Sequence, residues 1–479
     1  MPRNQGVIGE ENANKPIEIK YITMMGDSLS DRGTLNRAFL FGIIPMRKIA
    51  GLEQRSPDGR FTNGLVWGDH VTASIASDFT IKRLERRWHL RDTDIADAVI
   101  MRDKRILRAI YDSYTLDDDK FVHYHKKLWV RSYCEGGLMS HDYSWKPSWN
   151  LKRFFNRIIL SALEDMRHKI LQYDKKHNIS CKQKRETLII EWSGANDLIT
   201  VNAKPTPEEV DRAIAARVDN VRKLISAGYR NFVLFNLPNL SLTPRFYDKT
   251  QAEQVEARQC SYYFNKQLQE VCEALSRDYP YCSIRIFDIN SEFEKVYENP
   301  SKYYFDEEKK TLSYADSLDF KPPSKGISAA SGYMYFDDIH PSADLHALLA
   351  AHFYDTLGNQ YTLLEPDKII HKKHRECTEE ELLACFKTHY ERRFEQDKHG
   401  FFSCFRHSNL DIKNASLKTI LQHALMEGGK RTKEVLIDLG WLNKEDELIL
   451  DSNVLQNAME FIQAAERELS QKALGQQGS

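Results

Sequence analysis

Three side chains that could cooperate in nucleophilic catalysis lie in two short motifs that are 309 residues apart in the sequence. Ser28 lies in Gly-Asp-Ser-Leu, and Asp337 and His340 lie in Asp-Asp-Ile-His-Pro. A serine hydroxyl is a poor nucleophile near neutral pH, so it needs a base within hydrogen-bond reach and a third group that holds the base. We therefore predict that Ser28 attacks an ester carbonyl, His340 accepts its proton and Asp337 orients the imidazole.

The residues before Ser28 predict the element that positions it. An apolar run at 17–25 gives way to a glycine-containing turn, and this pattern indicates a strand buried on both faces. Ser28 is then expected at the carboxyl end of a strand, where open α/β sheets place their active sites. Asp27 is expected to be structural, capping a helix that begins after Ser28.

Two other predicted strands also end in turns that could supply hydrogen-bond donors. The apolar run at 187–190 leads to Asn196 and Asp197, and the run at 128–130 leads to Gly136 and Gly137. An enzyme that transfers acyl groups must offer donors to a developing oxyanion, and an asparagine amide and backbone N–H groups at glycine turns are suitable.

The sequence resembles the GDSL lipase/esterase family, also called SGNH hydrolases, over about residues 17–360. The serine, glycine, asparagine and histidine of the family match Ser28, Gly136, Asn196 and His340. The extended first block, GDSLSDRGT followed by DGRFTNGLVWGDHV, is typical of the branch with bacterial phospholipases, glycerophospholipid acyltransferases and plant GDSL lipases. This resemblance implies a three-layer α/β/α SGNH-hydrolase fold, which is flavodoxin-like, and a lipolytic serine esterase.

Two departures from the family pattern affect the predicted site. Ser132-Tyr133-Cys134 replaces the usual Asn-x-Ala, so either Gly136 or Gly137 could donate to the oxyanion, and we favour Gly136. The expected oxyanion hole is thus formed by the amides of Ser28 and Gly136 and the side chain of Asn196. Arg32 adds a cation beside the nucleophile turn, where it could attract an anionic headgroup, although a solvated arginine is favoured.

The periodicity of the chain predicts its division into domains. We expect a disordered leader at 1–16, a hydrolase domain at 17–364 with a helical insertion at about 70–127, and a helical C-terminal domain at 365–479. Helices that alternate with short apolar strands predict a parallel sheet covered on both faces. The predicted elements are helices at 151–176, 207–227, 251–278 and 342–356, and strands at 187–192, 231–236 and 283–287.

Residues 39–46 and Trp67 are candidates for a wall that contacts an acyl chain, because insertions at strand ends often line the substrate cleft. The alternative is that the apolar FLFGII sequence packs in the core. We favour core packing, since large apolar side chains usually lie inside.

Composition excludes several classes of protein. The formal net charge of −1 argues against a nucleic-acid binder. No stretch approaches 18 uncharged apolar residues, so no transmembrane segment is expected. Residues 1–16 lack the apolar region of a Sec signal peptide, so we expect either a cytoplasmic protein or one secreted by a route independent of a signal peptide, with a host cell as one destination.

No cofactor or metal is expected for the predicted chemistry. The side chains of His371, His374, Cys377 and Cys385 could ligate zinc, but the surrounding sequence reads as a charged linker entering a helix. The remaining cysteines are expected to be free thiols.

The segment after residue 365 is apolar at helical spacing and ends in a polar, glutamate-bearing stretch. With the missing signal peptide, it is similar to effectors that intracellular bacterial pathogens deliver by type IV secretion. A plain helical capping domain explains the same residues equally well. A host or partner protein could bind these helices.

Three functions compete on this sequence. The first is a lipolytic esterase, such as a phospholipase A, lysophospholipase or acyltransferase, with transient contact to a membrane surface. The second is a carbohydrate or small-ester deacetylase, and the third is a catalytically silent scaffold for a partner protein. The intact set of predicted catalytic residues argues against the scaffold, and the extended first block favours the lipolytic enzyme.

Overall fold

A computed structural model describes residues 17–40, 43–53, 55–144, 146, 150, 156, 157, 159–202, 204–323, 328–366 and 419. Its strands are β1 (Ile17–Ile19), β2 (Tyr21–Gly26), β3 (Phe39–Leu40), β4 (Ile44–Pro45), β5 (Phe121–Tyr124), β6 (Lys127–Cys134), β7 (Thr187–Trp192), β8 (Asn231–Phe235), β9 (Ser283–Phe287) and β10 (Tyr361–Leu363). Its α-helices up to residue 199 are α1 (Thr34–Arg37), α2 (Met46–Ile49), α3 (Trp67–Trp88), α4 (Asp92–Ile100), α5 (Lys104–Tyr111), α6 (Leu163–His177), α7 (Cys181–Arg185) and α8 (Ala195–Ile199). The later α-helices are α9 (Pro207–Ser226), α10 (Pro244–Tyr247), α11 (Gln251–Asp278), α12 (Ile289–Glu298) and α13 (Ala343–Gln360).

The central sheet has six strands in the order β5-β6-β2-β7-β8-β9. Every neighbouring pair from β6 to β9 is parallel, and only β5 pairs antiparallel with β6 at one edge. β1 instead pairs with β10, and β3 with β4. The predicted parallel sheet is therefore confirmed, with one antiparallel edge strand in addition.

Two apolar cores lie on opposite faces of this sheet. Met24 of β2 packs with Trp67 of α3 and Phe353 of α13, whereas the next residue, Met25, belongs to a cluster with Leu224 of α9 and residues of α11. Successive residues of a strand point to opposite faces, so β2 contributes to both cores. This arrangement confirms the three-layer α/β/α fold.

One helix boundary differs from the prediction. The helix expected at 151–176 is interrupted: residues 156, 157 and 159 are helical, residues 160–162 are not, and α6 begins at Leu163. Residues 151–155 and 158 lie outside the described part of the chain. Directly before α6, the chain is extended and pairs with Met139, which donates to Ser161 at 3.0 Å and accepts from Leu163 at 2.9 Å. These bonds hold the backbone at 161–162 out of a helical conformation.

The apolar residues proposed for an acyl-chain wall are placed differently from our expectations. Trp67 is buried in the core, with its ring centroid 4.8 Å from that of Phe235, so it does not line a cleft. Core packing for 39–46 is wrong for Phe39, Ile43 and Ile44, whose side chains are exposed. They lie in or beside a short two-stranded ribbon that is separate from the central sheet, so an expectation of burial based on hydrophobicity alone was wrong here.

Several predictions lie outside the described residues. They are the disordered leader at 1–16, the zinc alternative at His371, His374, Cys377 and Cys385, and nearly all of the helical domain at 365–479.

Within the ranges that the structure describes, no helix combines the length and apolar character needed to cross a membrane.

Candidate active site

Ser28 lies in the turn that follows β2, at the carboxyl edge of the sheet. The turn is held from two sides. Asp27 Oδ1 accepts the backbone N–H of Leu29 at 3.0 Å, and the indole N–H of Trp67 donates to the hydroxyl of Ser30 at 3.0 Å. The Ser28 side chain is thus presented from a rigid turn rather than from a mobile loop.

The helix cap in this region comes from a different aspartate than predicted. No helix begins directly after Ser28, since α1 starts at Thr34. Asp31 accepts the amides of Gly33 and Thr34 through Oδ1, at 2.8 and 2.6 Å, and that of Leu35 through Oδ2 at 3.1 Å. The prediction that Asp27 caps a helix here is wrong, because Asp31 satisfies the first free amides of α1.

The structure joins Ser28, His340 and Asp337 in one hydrogen-bonded chain. Asp337 Oδ2 and His340 Nδ1 are 2.7 Å apart, and His340 Nε2 and Ser28 Oγ are also 2.7 Å apart. Asp337 Oδ1 accepts the backbone amides of Ile339 and His340, so the loop itself orients the carboxylate. In the tautomer with a proton on Nδ1, the imidazole of His340 donates a hydrogen bond to Asp337 and accepts one from the hydroxyl of Ser28.

The pKa values of the pair shift in opposite directions. Burial would raise the pKa of Asp337, but the charge and hydrogen bond of His340 hold it below its usual value. Burial would lower the pKa of His340, but the Asp337 carboxylate raises it above its ordinary value. The side chains of His340 and Asp337 remain 15% and 25% exposed, so we attribute both directions chiefly to their mutual contact.

Strand pairing places two further loops beside Ser28. On one side the amide of Asp27 donates to the carbonyl of Trp192 at 3.2 Å, at the end of β7. On the other side the amide of Glu135, just after β6, donates to the carbonyl of Gly26 at 2.9 Å. The turns that follow β6 and β7 therefore flank the serine.

Asn196 lies in the first turn of α8, after β7. Gly194 precedes this helix at φ 125°, and a Cβ there would lie 2.5 Å from the ring of Phe264, so the position requires glycine. Asn196 Nδ2 donates to the carbonyl of Leu138 at 3.1 Å, and Oδ1 accepts the hydroxyl of Thr200 at 2.6 Å. These bonds fix the amide, whose second N–H could serve an oxyanion, and this role stays a prediction.

The amide of Gly136 is already engaged by a carboxylate. It donates to Asp31 Oδ2 at 2.8 Å. Burial raises the pKa of Asp31 to about 6, although four backbone amides act to lower it. An oxyanion would have to share or take over this N–H. The assignment of Gly136 as a donor stays a prediction, with Gly137 as the alternative.

Asp197 ties the turn after β7 to the loop after β6. Its two carboxylate oxygens accept the backbone amides of Ser140 and His141, at 2.8 and 2.9 Å. The sequence motif drew attention to Asp197 only as part of a turn. Its contacts show that it holds together the two loops that carry Asn196 and Gly136.

Phe61 is a site residue that sequence reasoning missed. Its ring centroid lies 4.9 Å from that of His340. A Cβ on Gly136 would lie 2.3 Å from the same ring, so the glycine permits this close approach. The available signal was the DGRFTNG block, which marked a family branch but gave no role to its phenylalanine. Phe61 forms a small apolar cluster with Leu35, Met46 and Leu52.

Arg32 is buried, so the expectation of a solvated arginine is wrong. Its Nε donates to Asp69 Oδ1 at 2.7 Å, and Arg60 Nε donates to Asp69 Oδ2 at 2.8 Å. Burial would raise the pKa of Asp69, but the two guanidinium groups hold it below its usual value. A buried carboxylate requires such partners to stay ionised, and this ion cluster fixes α3 against the loop after Ser28.

Known proteins with similar sequences include two bacterial ones and one from a plant. The chain is 22% identical to a phosphatidylcholine-sterol acyltransferase of Aeromonas hydrophila over 385 residues, which cover 72% of this chain and 91% of the relative. It is 26% identical to the secreted effector protein SseJ of Salmonella typhimurium, over 48% of this chain and 51% of the relative. It is 24% identical to an anther-specific proline-rich protein of Brassica napus, over 59% and 60% of the two chains.

The family model for GDSL-like lipases and acylhydrolases matches residues 22–353. This range includes every predicted catalytic and oxyanion residue and most of the described fold. The chain belongs to the GDSL-like lipase/acylhydrolase family.

Proposed function

We propose that this protein is a serine esterase that cleaves carboxylic esters through an acyl-enzyme intermediate. The observation that carries the proposal is the hydrogen-bonded chain from Ser28 through His340 to Asp337, with 2.7 Å at each step. Membership of a lipase and acylhydrolase family supports chemistry on ester bonds.

In the first step, Ser28 Oγ attacks the carbonyl carbon while its proton passes to His340 Nε2. Asp337 stabilises the resulting imidazolium and keeps the proton of Nδ1 directed toward itself. The negative oxygen of the tetrahedral intermediate is held by the amide of Ser28, the side chain of Asn196 and the amide of Gly136, which must share or release its bond to Asp31 for this role. The intermediate then collapses, and the leaving alcohol takes the proton from His340.

In the second step, an acceptor hydroxyl cleaves the acyl-enzyme. His340 removes the proton of the acceptor as its oxygen attacks the acyl carbon, and then returns a proton to Ser28 Oγ. With water as acceptor the product is a free acid, and with an alcohol it is a new ester. The same site thus accommodates hydrolysis and acyl transfer.

For the substrate we propose a lipid ester, with phospholipase A or lysophospholipase activity and acyl transfer as a related outcome. Support comes from the family description and from the Aeromonas relative, whose name specifies an acyl transfer from phosphatidylcholine to a sterol. The apolar cluster around Phe61 lies directly against His340, where an acyl chain could be accommodated.

We also propose that the protein is a secreted bacterial effector and that residues from about 365 form a separable helical module. The likeness to a secreted Salmonella effector supports the first part. Every catalytic residue proposed above precedes Pro341, which supports the second. A chain that ends after Leu364 should keep the reactivity of Ser28, and a folded but inert product would contradict this division.

The proposed chemistry is tested with the Ser28→Ala variant. We expect this variant to fold with an unchanged Tm and to lose turnover of short p-nitrophenyl esters, because the acyl-enzyme cannot form. Wild-type turnover in the variant would contradict the proposal. Comparison of acetyl esters, acetylated sugars, lysophospholipids and diacyl phospholipids then tests the substrate, and a clear preference for acetyl groups would favour a deacetylase instead.

A further inference from the structure

The apolar hairpin is the name we give to residues 39, 40 and 43–49, which comprise β3, β4 and α2. Four of its apolar side chains are exposed to solvent. The exposed fractions are 58% for Phe39, 80% for Ile43, 47% for Ile44 and 53% for Ile49. Single exposed apolar residues are common, but several in one short segment are typical of a site that contacts a protein, a membrane or a ligand.

The base of the apolar hairpin is continuous with the active site. Met46 is buried in the cluster with Phe61, and Leu40 packs against the same cluster. Phe61 in turn contacts the imidazole of His340. Apolar side chains therefore connect the exposed residues of the hairpin to the side of the general base.

The apolar hairpin carries positive charge. Residues 39–49 contain Arg47 and Lys48 and no acidic residue. Arg47 and Lys48 are exposed in the last turn of α2, next to Ile49. The ion pair of Arg47 with Glu53 is long, at 4.0 Å, and both side chains are about half exposed. Solvent screens such a pair strongly, so it leaves Arg47 available to another anion.

We propose that the apolar hairpin docks on the surface of an anionic phospholipid membrane. Phe39, Ile43, Ile44 and Ile49 enter the boundary between headgroups and acyl chains, while Arg47 and Lys48 contact lipid phosphates. Segments that combine apolar and cationic side chains in this way bind membrane interfaces rather than span them. The inference deepens the proposed lipolytic function and rests on it, since docking would bring the ester of a lipid to Ser28.

The test uses the full chain with Ser28→Ala, so that binding is measured without turnover. Flotation with vesicles of phosphatidylcholine and phosphatidylglycerol compares this parent with an added Ile43→Ser/Ile44→Ser change. The matched control is Ile100→Ser/Met101→Ser, because these neighbours at the end of α4 are also exposed, at 76% and 81%. Tm values of all variants establish that each is folded.

We expect the parent and the control to float with the vesicles and the hairpin variant to bind at least about tenfold more weakly. A second variant, Arg47→Glu/Lys48→Glu, should lose binding to anionic vesicles and approach the weak binding of the parent to pure phosphatidylcholine. Equal binding by the parent and the hairpin variant, equal losses in the hairpin variant and the control, or no binding by the parent would overturn the proposal. A parent that proves to be a dimer by light scattering, with a hairpin variant that is a monomer and binds vesicles equally well, would assign the hairpin to an interface between two copies instead and would also overturn the proposal.

The outcome is independent of the esterase assays. If the Ser28→Ala parent does not bind vesicles while the wild-type protein still cleaves phospholipid, only the proposal of membrane docking is overturned. Hairpin-dependent binding without any ester hydrolysis by the wild type would contradict the proposed function and leave a membrane-binding surface.

Discussion

The carboxylate of Asp31 accepts the backbone amide of Gly136 at 2.8 Å, and so joins the loop after β2 to the loop after β6. The same buried side chain accepts three amides at the start of α1. One residue thus sets the spacing between the segment that carries the serine and the glycine loop. Because an oxyanion hole depends on a preorganised backbone, we assign Asp31 a positioning role for the glycine loop, although its bond occupies the N–H of Gly136 itself.

Replacement of Asp31 by asparagine should therefore affect both stability and catalysis. Asparagine has one acceptor oxygen, so its NH₂ group would face the amides that Oδ2 now accepts, those of Leu35 and Gly136. We expect a loss of about 2–4 kcal/mol in the free energy of unfolding, from two buried amides without acceptors. We also expect kcat to fall more than KM rises. Urea unfolding and steady-state kinetics measure the two effects.

Asp27→Asn is the matched control, because Asp27 accepts a single amide through one oxygen, and asparagine retains that acceptor. Near neutral pH this control should gain rather than lose stability, because burial raises the pKa of Asp27 to about 7. Equal losses of stability in the two variants would show that the bond to Gly136 has no special importance.

Phe61 should be required for the alignment of His340. Phe61→Ala removes the ring that packs against both His340 and Gly136 and should cost about 3 kcal/mol of unfolding free energy. It should also lower kcat/KM on a soluble p-nitrophenyl ester. Phe61→Leu keeps most of the apolar volume, so it should recover most of the stability. Kinetics of Phe61→Ala that match the wild type would show that the ring only fills space.

The pH dependence of kcat/KM should report the Asp337–His340 pair. The pKa of His340 is raised, so activity should fall as pH drops through a value above the ordinary histidine pKa of about 6.5. Without the carboxylate, burial would dominate and lower that pKa. Asp337→Asn should therefore shift the acidic limb to lower pH and reduce kcat by roughly 10³- to 10⁴-fold. An acidic limb at unchanged pH would indicate that another group controls it.

Asp27 should make the protein less stable as the pH rises. Burial raises its pKa to about 7, whereas an aspartate in the unfolded chain titrates near 3.9. Between these values the folded state binds a proton that the unfolded state releases, so the free energy of unfolding falls with increasing pH. The Asp27→Asn variant has no carboxyl group at this position, so its free energy of unfolding should not fall with pH for this reason. The difference in unfolding free energy between the variant and wild type should therefore grow by on the order of 2 kcal/mol from about pH 5 to about pH 8, as measured by urea unfolding. Parallel pH profiles for the two proteins would refute this prediction.

Much of the sheet could be predicted because its strands are short apolar runs between long helices. The bounds of β7 and β9 and of the helix at 251–278 agree with the sequence pattern. The proximity of Asp337 to His340 was also predictable, since both lie in one loop. Ser28 could be placed because the apolar run before it is a buried strand that ends at the turn.

Other features depend on contacts between distant parts of the chain. Arg32 can be buried because it pairs with the carboxylate of Asp69. The two residues are 37 positions apart in the sequence, so no local pattern indicates this pairing. Asp31 could not be separated from Asp27 as a helix cap until the start of α1 was known. The exposure of Ile43 and Ile44 was unpredictable for the opposite reason, since apolar composition alone favours burial, whereas they lie in or beside a ribbon that is separate from the central sheet.

The role of Ser28 as the nucleophile is tested by reaction with a fluorophosphonate probe, followed by peptide mass spectrometry. A fluorophosphonate reacts with an activated serine hydroxyl, so the adduct should map to Ser28 in the wild-type protein. It should be absent in Ser28→Ala and strongly reduced in His340→Ala, because the base that activates the serine is missing. If folded wild-type protein remains unlabelled, or is labelled at another serine, the account of Ser28 as the nucleophile is contradicted.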